Sequence, residues 1–269
     1  MAPDPPAVTV LIGAYENERT VARAVASILA QTERRLELIV IDDGSSDRSA
    51  AVAAEAIGAD PRGRVERMER NLGIARSLNE GLRLAAAPVV AIQDADDYSA
   101  PERLRRQLAA LAADPGLAVV GSRMREIDAE GRALSPRTSF AAGEVNAVLM
   151  RFNPIPNGSA AFRREAALAL GGYDPRYRYA TEYDLWLRLA EHHRLLALDE
   201  ELSTRVMGGG NVAARAERAQ LAEGIAIRAR ALRRRRSLRG AGGLLRPALS
   251  YALPSGVKRA LRGRRGQAP

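Results

Sequence analysis

Three short runs of nearly unbroken apolarity, "AVTVLI" (7–12), "LELIVI" (36–41) and "VVAI" (89–92), punctuate the first third of the chain. Their lack of strict alternation predicts strands covered on both faces, as in a parallel sheet. Segments of helical length and spacing lie between and after them: "TVARAVASILA" (20–30), "SDRSAAVAAEAI" (46–57), "IARSLNEGLRLAAA" (74–87) and "PERLRRQLAALAA" (101–113). Ser46 reads as the N-cap of the second, with Asp47 in its first turn, and Pro101 opens the fourth. Strands alternating with helices in this way predict right-handed βαβ units and an α/β fold.

The pattern loosens from about 117 to 212. "LAVVGSRMREID" reads as one or two strands, "GEVNAVLMRF" as a helix, and "NPIPNGSAAFRR" as a loop leading into a short strand. "YATEYDLWLRLAEH" is strongly helical, with Leu185, Leu189 and Trp186 on its inward side. Trp186 reads either as a core residue or as a platform for a sugar ring. These features predict a main domain at 1–214, with a nucleotide-binding half at about 7–122 and an acceptor half at 123–214. An Arg-rich helical extension follows at 215–269.

Charge sharpens that boundary. Residues 224–269 contain no acid and 13 of the 41 Arg and Lys, so the net +9 becomes −4 for residues 1–223. Clusters such as "RALRRRRSLR", with Leu244, Leu245, Leu249, Tyr251 and Leu253, fit either an interfacial segment on an anionic membrane or a solvated extension. Few aromatics interleave the arginines, so nucleic acid is not an expected partner. "MAPDPPAVTVLIG" has neither the basic start nor the long apolar stretch of a secretory signal, and no run reaches a membrane-spanning length. The expected location is cytoplasmic, free or peripheral on the inner face of the membrane.

The absence of cysteine excludes disulfides, thiolate metal sites and cysteine nucleophiles, and only two histidines, His192 and His193, are present. Carboxylates and arginines must therefore carry any chemistry. Polar clusters follow each predicted strand: "GAYENE", "DDGSSD" and "DADD". In an open parallel sheet such ends converge on one ligand crevice. "GAYENERT" is neither a dinucleotide fingerprint nor a Walker loop, so the charge of a phosphorylated ligand would have to be met by a metal ion.

Taken in order, "VTVLIGAYENERTVARAVASILAQT", "LELIVIDDGSSDRS", "RNLGIARSLNEGL", "VVAIQDADD", "NPIPNGSAAFRR" and "GGYDPRYRYATEYDLWLRL" resemble the family 2 glycosyltransferases over about residues 7–212. The resemblance implies a GT-A fold, a nucleotide-sugar donor, a divalent metal and inversion at the anomeric carbon. Asp94 and Asp96 match the DxD position, with Asp94 nearer the ribose and Asp96 on Mn²⁺ or Mg²⁺; Asp97 reads as a supporting acid at the helix start. Asp43 matches the base-binding aspartate, with Asp42 as a neighbour able to share the role. Ala14, Tyr15 and Glu16 match the segment around the nucleobase. Gly73, Arg76 and Asn79 fall in a block near the donor, where Arg76 either pairs with phosphate or lies on a solvated helix face.

The acceptor side is where this sequence departs from the family pattern. Aligned on Tyr-Asp-Leu-Trp, Glu182 stands where the catalytic aspartate usually lies, and Asp184 is the second candidate catalytic residue, or an acceptor-binding or structural one. Asn157 and Met207 replace family histidines, and "GGYDPRY" (171–177) is expected to line the acceptor side. The implied reaction moves a sugar, expected to be UDP-linked, to a saccharide or lipid-linked acceptor in envelope or extracellular polysaccharide synthesis. A catalytically impaired nucleotide-sugar binder and a sugar nucleotidyltransferase are the alternatives.

Overall fold

A computed structural model describes residues 4–135, 140–207 and 212–235. Its first half is a parallel sheet of β1 (Val8–Ala14), β2 (Leu36–Asp42), β3 (Gly63–Arg67) and β4 (Val89–Asp94) in the order β3-β2-β1-β4. The helices α1 (Val21–Leu29), α2 (Ser49–Ile57) and α3 (Ile74–Leu84) provide the crossovers. Side-chain alternation feeds two cores. Leu11, Ile39 and Ile41 pack with Leu78 and Leu82 of α3, while Val10, Ile12, Leu38 and Val40 pack with Val25 and Ile28 of α1. Burial on both faces is why these strands read as continuous apolar runs.

The second half is mixed rather than parallel. From β5 (Tyr98–Ser99) the chain enters α4 (Arg103–Ala113) and then the long β6 (Leu117–Asp128). Next come β7 (Gly143–Glu144), a 3₁₀ turn at Asn157–Ser159, β8 (Ala161–Arg163), α5 (Arg164–Ala169) and α6 (Thr181–Leu189). Strand β8 joins the halves by pairing antiparallel with both β4 and β6, and β9 (Arg194–Met207) runs parallel to β6. Both β5 and β7 add antiparallel to β9, which completes nine strands.

Two local expectations change. Ser46 does not cap α2: its N–H and hydroxyl both bond Glu16, while Asp47 accepts the N–H of Ser49 at 2.9 Å. Residues 143–152 form β7 and turns closed by Val148 N–H to Val145 O and Arg151 N–H to Val148 O, not a helix. Asn146 fixes that shape by donating to His193 O and accepting from Leu195 N–H, both at 2.8 Å.

The expected break at 214 also moves. Helix α7 (Val212–Arg235) buries Ile227 and Ala231 in the main core, and Arg234 pairs with Glu191 at 2.8 Å. Through 235 the basic extension is therefore part of the folded body. The remaining basic segment, with Leu244, Leu245, Leu249, Tyr251 and Leu253, lies outside the described residues.

Candidate active site

The strand order changes direction between β1 and β4, and the loops after β1, β2 and β4 open at that point, where α/β sheets bind ligands. A cleft of about 170 Å³ there is lined by Ala14, Tyr15, Asn17, Asp43, Ile74 and Ser77, among others. Tyr15 is 48% exposed, an open aromatic face at the rim.

Asp43 reaches this cleft but is also structural. Its two oxygens accept the N–H groups of Leu72 (2.9 Å) and Gly73 (2.8 Å), which sets the turn before α3. Gly73 has φ 88°, a conformation glycine adopts without strain. Asp42 alternates to the other face of β2, fully buried, with Arg67 Nε at 3.2 Å from its carboxylate, so the structure does not bring it to the cleft.

Glu16 and Asn79, both grouped with the donor by sequence, are engaged elsewhere. Glu16 holds Ser46 and so clasps the first two loops together. Asn79 accepts the N–H of Tyr173 and donates to its carbonyl, both at 2.8 Å, fixing the Gly171–Gly172–Tyr173 turn. Arg76 projects exposed from α3.

The "DADD" loop gathers charge at the end of β4. Asp96 is exposed, Asp94 half-buried and Asp97 buried. Burial and then the neighbouring Asp96 push the Asp94 carboxyl above its usual range. Burial, followed by Asp94 and Asp96, pushes Asp97 up to about 8. Gly158 in the 3₁₀ turn lies so close to Asp94 that any Cβ there would collide with the carboxylate.

Two arginines that the sequence did not single out as site residues stand against these acids. Arg205 of β9 has its Nε 3.8 Å from Asp97, whose other oxygen accepts the Val206 N–H at 3.0 Å. Its charge also acts on Asp94 and Glu182. Arg103 is fully buried behind the loop, where it donates to Ile92 O (2.7 Å), Ala160 O (3.1 Å) and Ser99 Oγ (2.9 Å). Desolvation brings its guanidinium down to about 10.

Glu182, in the first turn of α6, faces this cluster from the other half of the molecule. Burial, with Asp94 adding to it, pushes its carboxyl up to about 7, against its own N–H, Arg205 and the Asn153 side-chain N–H at 3.0 Å. It also lines a second cavity of about 240 Å³ between α6 and α7. The carboxyl thus sits between the acid cluster and an open pocket, half-buried and titrating near neutrality.

Asp184 does not share that position. It is 1% exposed and ion-paired with Arg188 at 2.7 Å, while Arg188 donates to Leu170 O and Gly172 O. This makes it a brace for the glycine turn, and the catalytic role considered for it is withdrawn. Trp186 is also fully buried, donating to Ile155 O at 2.9 Å and packing edge-on against Phe162, so it offers no face to a sugar. Asn157, in place of a family histidine, accepts from the Tyr173 hydroxyl at 3.0 Å. Of the "GGYDPRY" segment, Tyr173 is buried and Asp174 pairs with Arg176.

Helix α7 completes the site in a way the sequence did not announce. Glu223 accepts the consecutive N–H groups of Arg178, Tyr179 and Ala180 at 2.8, 2.8 and 3.0 Å. Ala180 is the N-cap of α6, two residues before Glu182. Arg228 spans back to Met150 O, Arg151 O and Gly224 O and lies 4.8 Å over the Tyr183 ring. No helix among the described residues is long and apolar enough to cross a membrane.

The nine-stranded mixed sheet flanked by helices, with acids gathered at its switch point, is similar to the fold of GT-A-type glycosyltransferase structures. The model for "Glycosyl transferase family 2" matches residues 9–170. The chain belongs to that family.

Among curated relatives it is 34% identical over 189 residues to "Putative glycosyltransferase EpsE" of Bacillus subtilis, covering 69% of this chain and 67% of the relative. It is 27% identical over 207 residues to "Amylovoran biosynthesis glycosyltransferase AmsE" of Erwinia amylovora, covering 76% and 77%. Among solved structures, S. aureus TarS 1-349 in complex with UDP-GlcNAc aligns with TM-score 0.68 at 18% identity, over 84% of this chain and 66% of that one. The mannosyltransferase PcManGT from Pyrobaculum calidifontis, in complex with GDP-Man and Mn2+, aligns with TM-score 0.65 at 21% identity, over 97% and 80%. Both structural likenesses establish the shared fold.

Proposed function

We propose that this protein transfers a sugar from a nucleotide-sugar donor, UDP-linked in the first instance, to a saccharide or lipid-linked acceptor, with inversion and with Glu182 as the base. One observation carries the reading: Glu182 is held by Asn153 between the acid loop and an open cavity, with its carboxyl pushed up to about 7. A base with this affinity for protons is half-ionised at neutral pH and can take a proton without becoming inert. The relative named for amylovoran biosynthesis and the similar structures holding UDP-GlcNAc or GDP-Man support the substrate class.

In this reading the nucleobase lies in the cleft of Ala14 and Tyr15 and meets Asp43. Gly73 shapes that turn, and the exposed Arg76 faces the phosphates. The acceptor hydroxyl approaches from the α6–α7 cavity and gives its proton to Glu182. Its oxygen bonds to the anomeric carbon as the carbon–oxygen bond to the nucleoside diphosphate breaks. The Glu223 clasp holds the start of α6 and so positions Glu182.

No group of three or more acids or histidines is arranged as a ready-made metal site among the described residues. Asp94 and Asp96 nevertheless fit a hard divalent cation. They repel one another, and their hard carboxylate oxygens would hold Mg²⁺ or Mn²⁺. Such an ion would supply Lewis-acid stabilisation of the departing diphosphate. Arg205 and Arg103 would share that electrostatic work from the protein side.

Nucleotide release from UDP- and GDP-sugars, with and without Mn²⁺, tests this function. Release by the wild type that Glu182→Gln lowers at least a hundredfold is the expected result. Donor binding with no release from any sugar would favour a non-catalytic binder.

A further inference from the structure

One loop, running from Asn153 to the 3₁₀ turn, touches both sides of the proposed reaction. At its start the Asn153 side chain donates to Glu182 at 3.0 Å. At its end Gly158 lies against the Asp94 carboxylate. Between these two contacts stands Asn157, half-buried, an amide where the family pattern has an imidazole.

Tyr173 holds that amide in one orientation. Its hydroxyl donates to Asn157 Oδ1 at 3.0 Å. The ring is fully buried and packs edge-on to Phe162, with centroids 6.4 Å apart. Its own N–H and carbonyl are both bonded to the Asn79 amide at 2.8 Å, so the hydroxyl has little freedom to move. Burial, followed by the charges of Glu182 and Asp94, keeps this hydroxyl well above the usual phenol range, so it stays protonated and a donor. With its oxygen turned to Tyr173, the planar amide of Asn157 turns its NH₂ the other way. A hydroxyl that feels both carboxyls places this amide in the space between Asp94 and Glu182.

In an inverting displacement the transferred sugar must lie between the departing diphosphate and the base. A neutral NH₂ in that space can donate to a ring hydroxyl without adding charge to the acids around it. We infer that Asn157 contacts the transferred sugar by donating to one of its hydroxyl oxygens, and that Tyr173 is a positioning residue that acts through Asn157. The choice of donor sugar then depends on this pair, while the nucleotide is held elsewhere, in the cleft of Ala14 and Tyr15. The inference rests on Asp94 and Glu182 being the two sides of a glycosyl transfer.

Calorimetry and nucleotide release on the full chain with Mn²⁺ test it. UDP-glucose, UDP-galactose, UDP-N-acetylglucosamine and GDP-mannose are set against bare UDP and GDP. For the donor that the wild type turns over fastest, Asn157→Ala should weaken binding about threefold to tenfold more than it weakens the bare nucleotide. Asn157→Asp keeps the shape and the bond from Tyr173 but lacks the N–H donors. It should show the same selective loss, and it carries the test if the alanine variant fails to fold. Tyr173→Phe should slow release about threefold to tenfold on its own and have no further effect in the Asn157→Ala background. Equal loss of sugar and bare nucleotide, full donor affinity in Asn157→Asp, or additive effects of the two substitutions would overturn the inference. Failure of the wild type to release nucleotide from any donor would instead overturn the reading beneath it.

Discussion

Replacing Asn153 by aspartate changes the environment of Glu182 with little change in shape. The Asn153 side-chain N–H donates to Glu182 at 3.0 Å, while its oxygen accepts the Ile155 N–H at 3.1 Å and maintains the turn. Aspartate keeps the second bond, removes the first and adds a like charge. A hydrogen bond to a charged group contributes about 1.5–3 kcal/mol, and about 1.4 kcal/mol corresponds to a tenfold change in proton affinity. The Glu182 carboxyl, already at about 7, should therefore rise by at least about one pH unit.

The sign follows from the role. A general base works ionised, so the acid limb of the rate profile should move to higher pH. At pH 7 the ionised share should fall from about one half to about one tenth, a roughly fivefold loss that is regained near pH 9. The assay is nucleotide release from the donor across pH 5.5–9.5, wild type against Asn153→Asp. A limb that stays in place or moves to lower pH would show that the rate does not report Glu182, and the assignment of the base would fall.

Other consequences follow from the same geometry. Glu223→Ala leaves three adjacent N–H groups without their acceptor, and should cost on the order of 2 kcal/mol in thermal or denaturant unfolding while lowering turnover more than donor affinity. Asp97 (about 8) and Glu182 (about 7) bind protons more tightly folded than unfolded, so the ligand-free chain should lose thermal stability as pH rises from about 4.5 to above 8. Added Mn²⁺ should recover more of that loss at pH 8 than at pH 5, read as a melting-temperature shift. Gly158→Ala puts a methyl group onto Asp94, and should raise the Mn²⁺ concentration needed for half-maximal activity by an order of magnitude or more.

Much of the cleft at the strand ends was legible in the sequence because it is built from local pattern. Continuous apolar runs end at Ala14, Asp42 and Asp94, so the loops that follow had to meet at the strand ends. Strand β9 was not legible for a physical reason. Asp199 and Glu200 interrupt its apolar pattern where the register with β6 jumps from Leu198 to Glu201, and they turn outward to Arg123 and Arg106. The spacing of Val145, Val148 and Phe152 suits a helix, but side-chain bonds from Asn146 to β9 hold that stretch in turns.

The roles of Arg205, Glu223 and Arg228 were not legible because their partners are distant in sequence. Glu223 bonds backbone more than 40 residues away, and Arg205 meets Asp97 across β5 and β9. A basic tail gives no hint of which residues dock. The one available signal was Glu223 itself, the last acid before an acid-free stretch of 46 residues.

The central claim is that Glu182 removes the acceptor proton in a sugar transfer. The most direct measurement compares wild type and Glu182→Gln for nucleotide release from a panel of UDP- and GDP-sugars with Mn²⁺, alongside calorimetric binding of the same donors. Unchanged donor affinity with release reduced at least a hundredfold is the predicted result. Equal release by the two proteins would contradict the account.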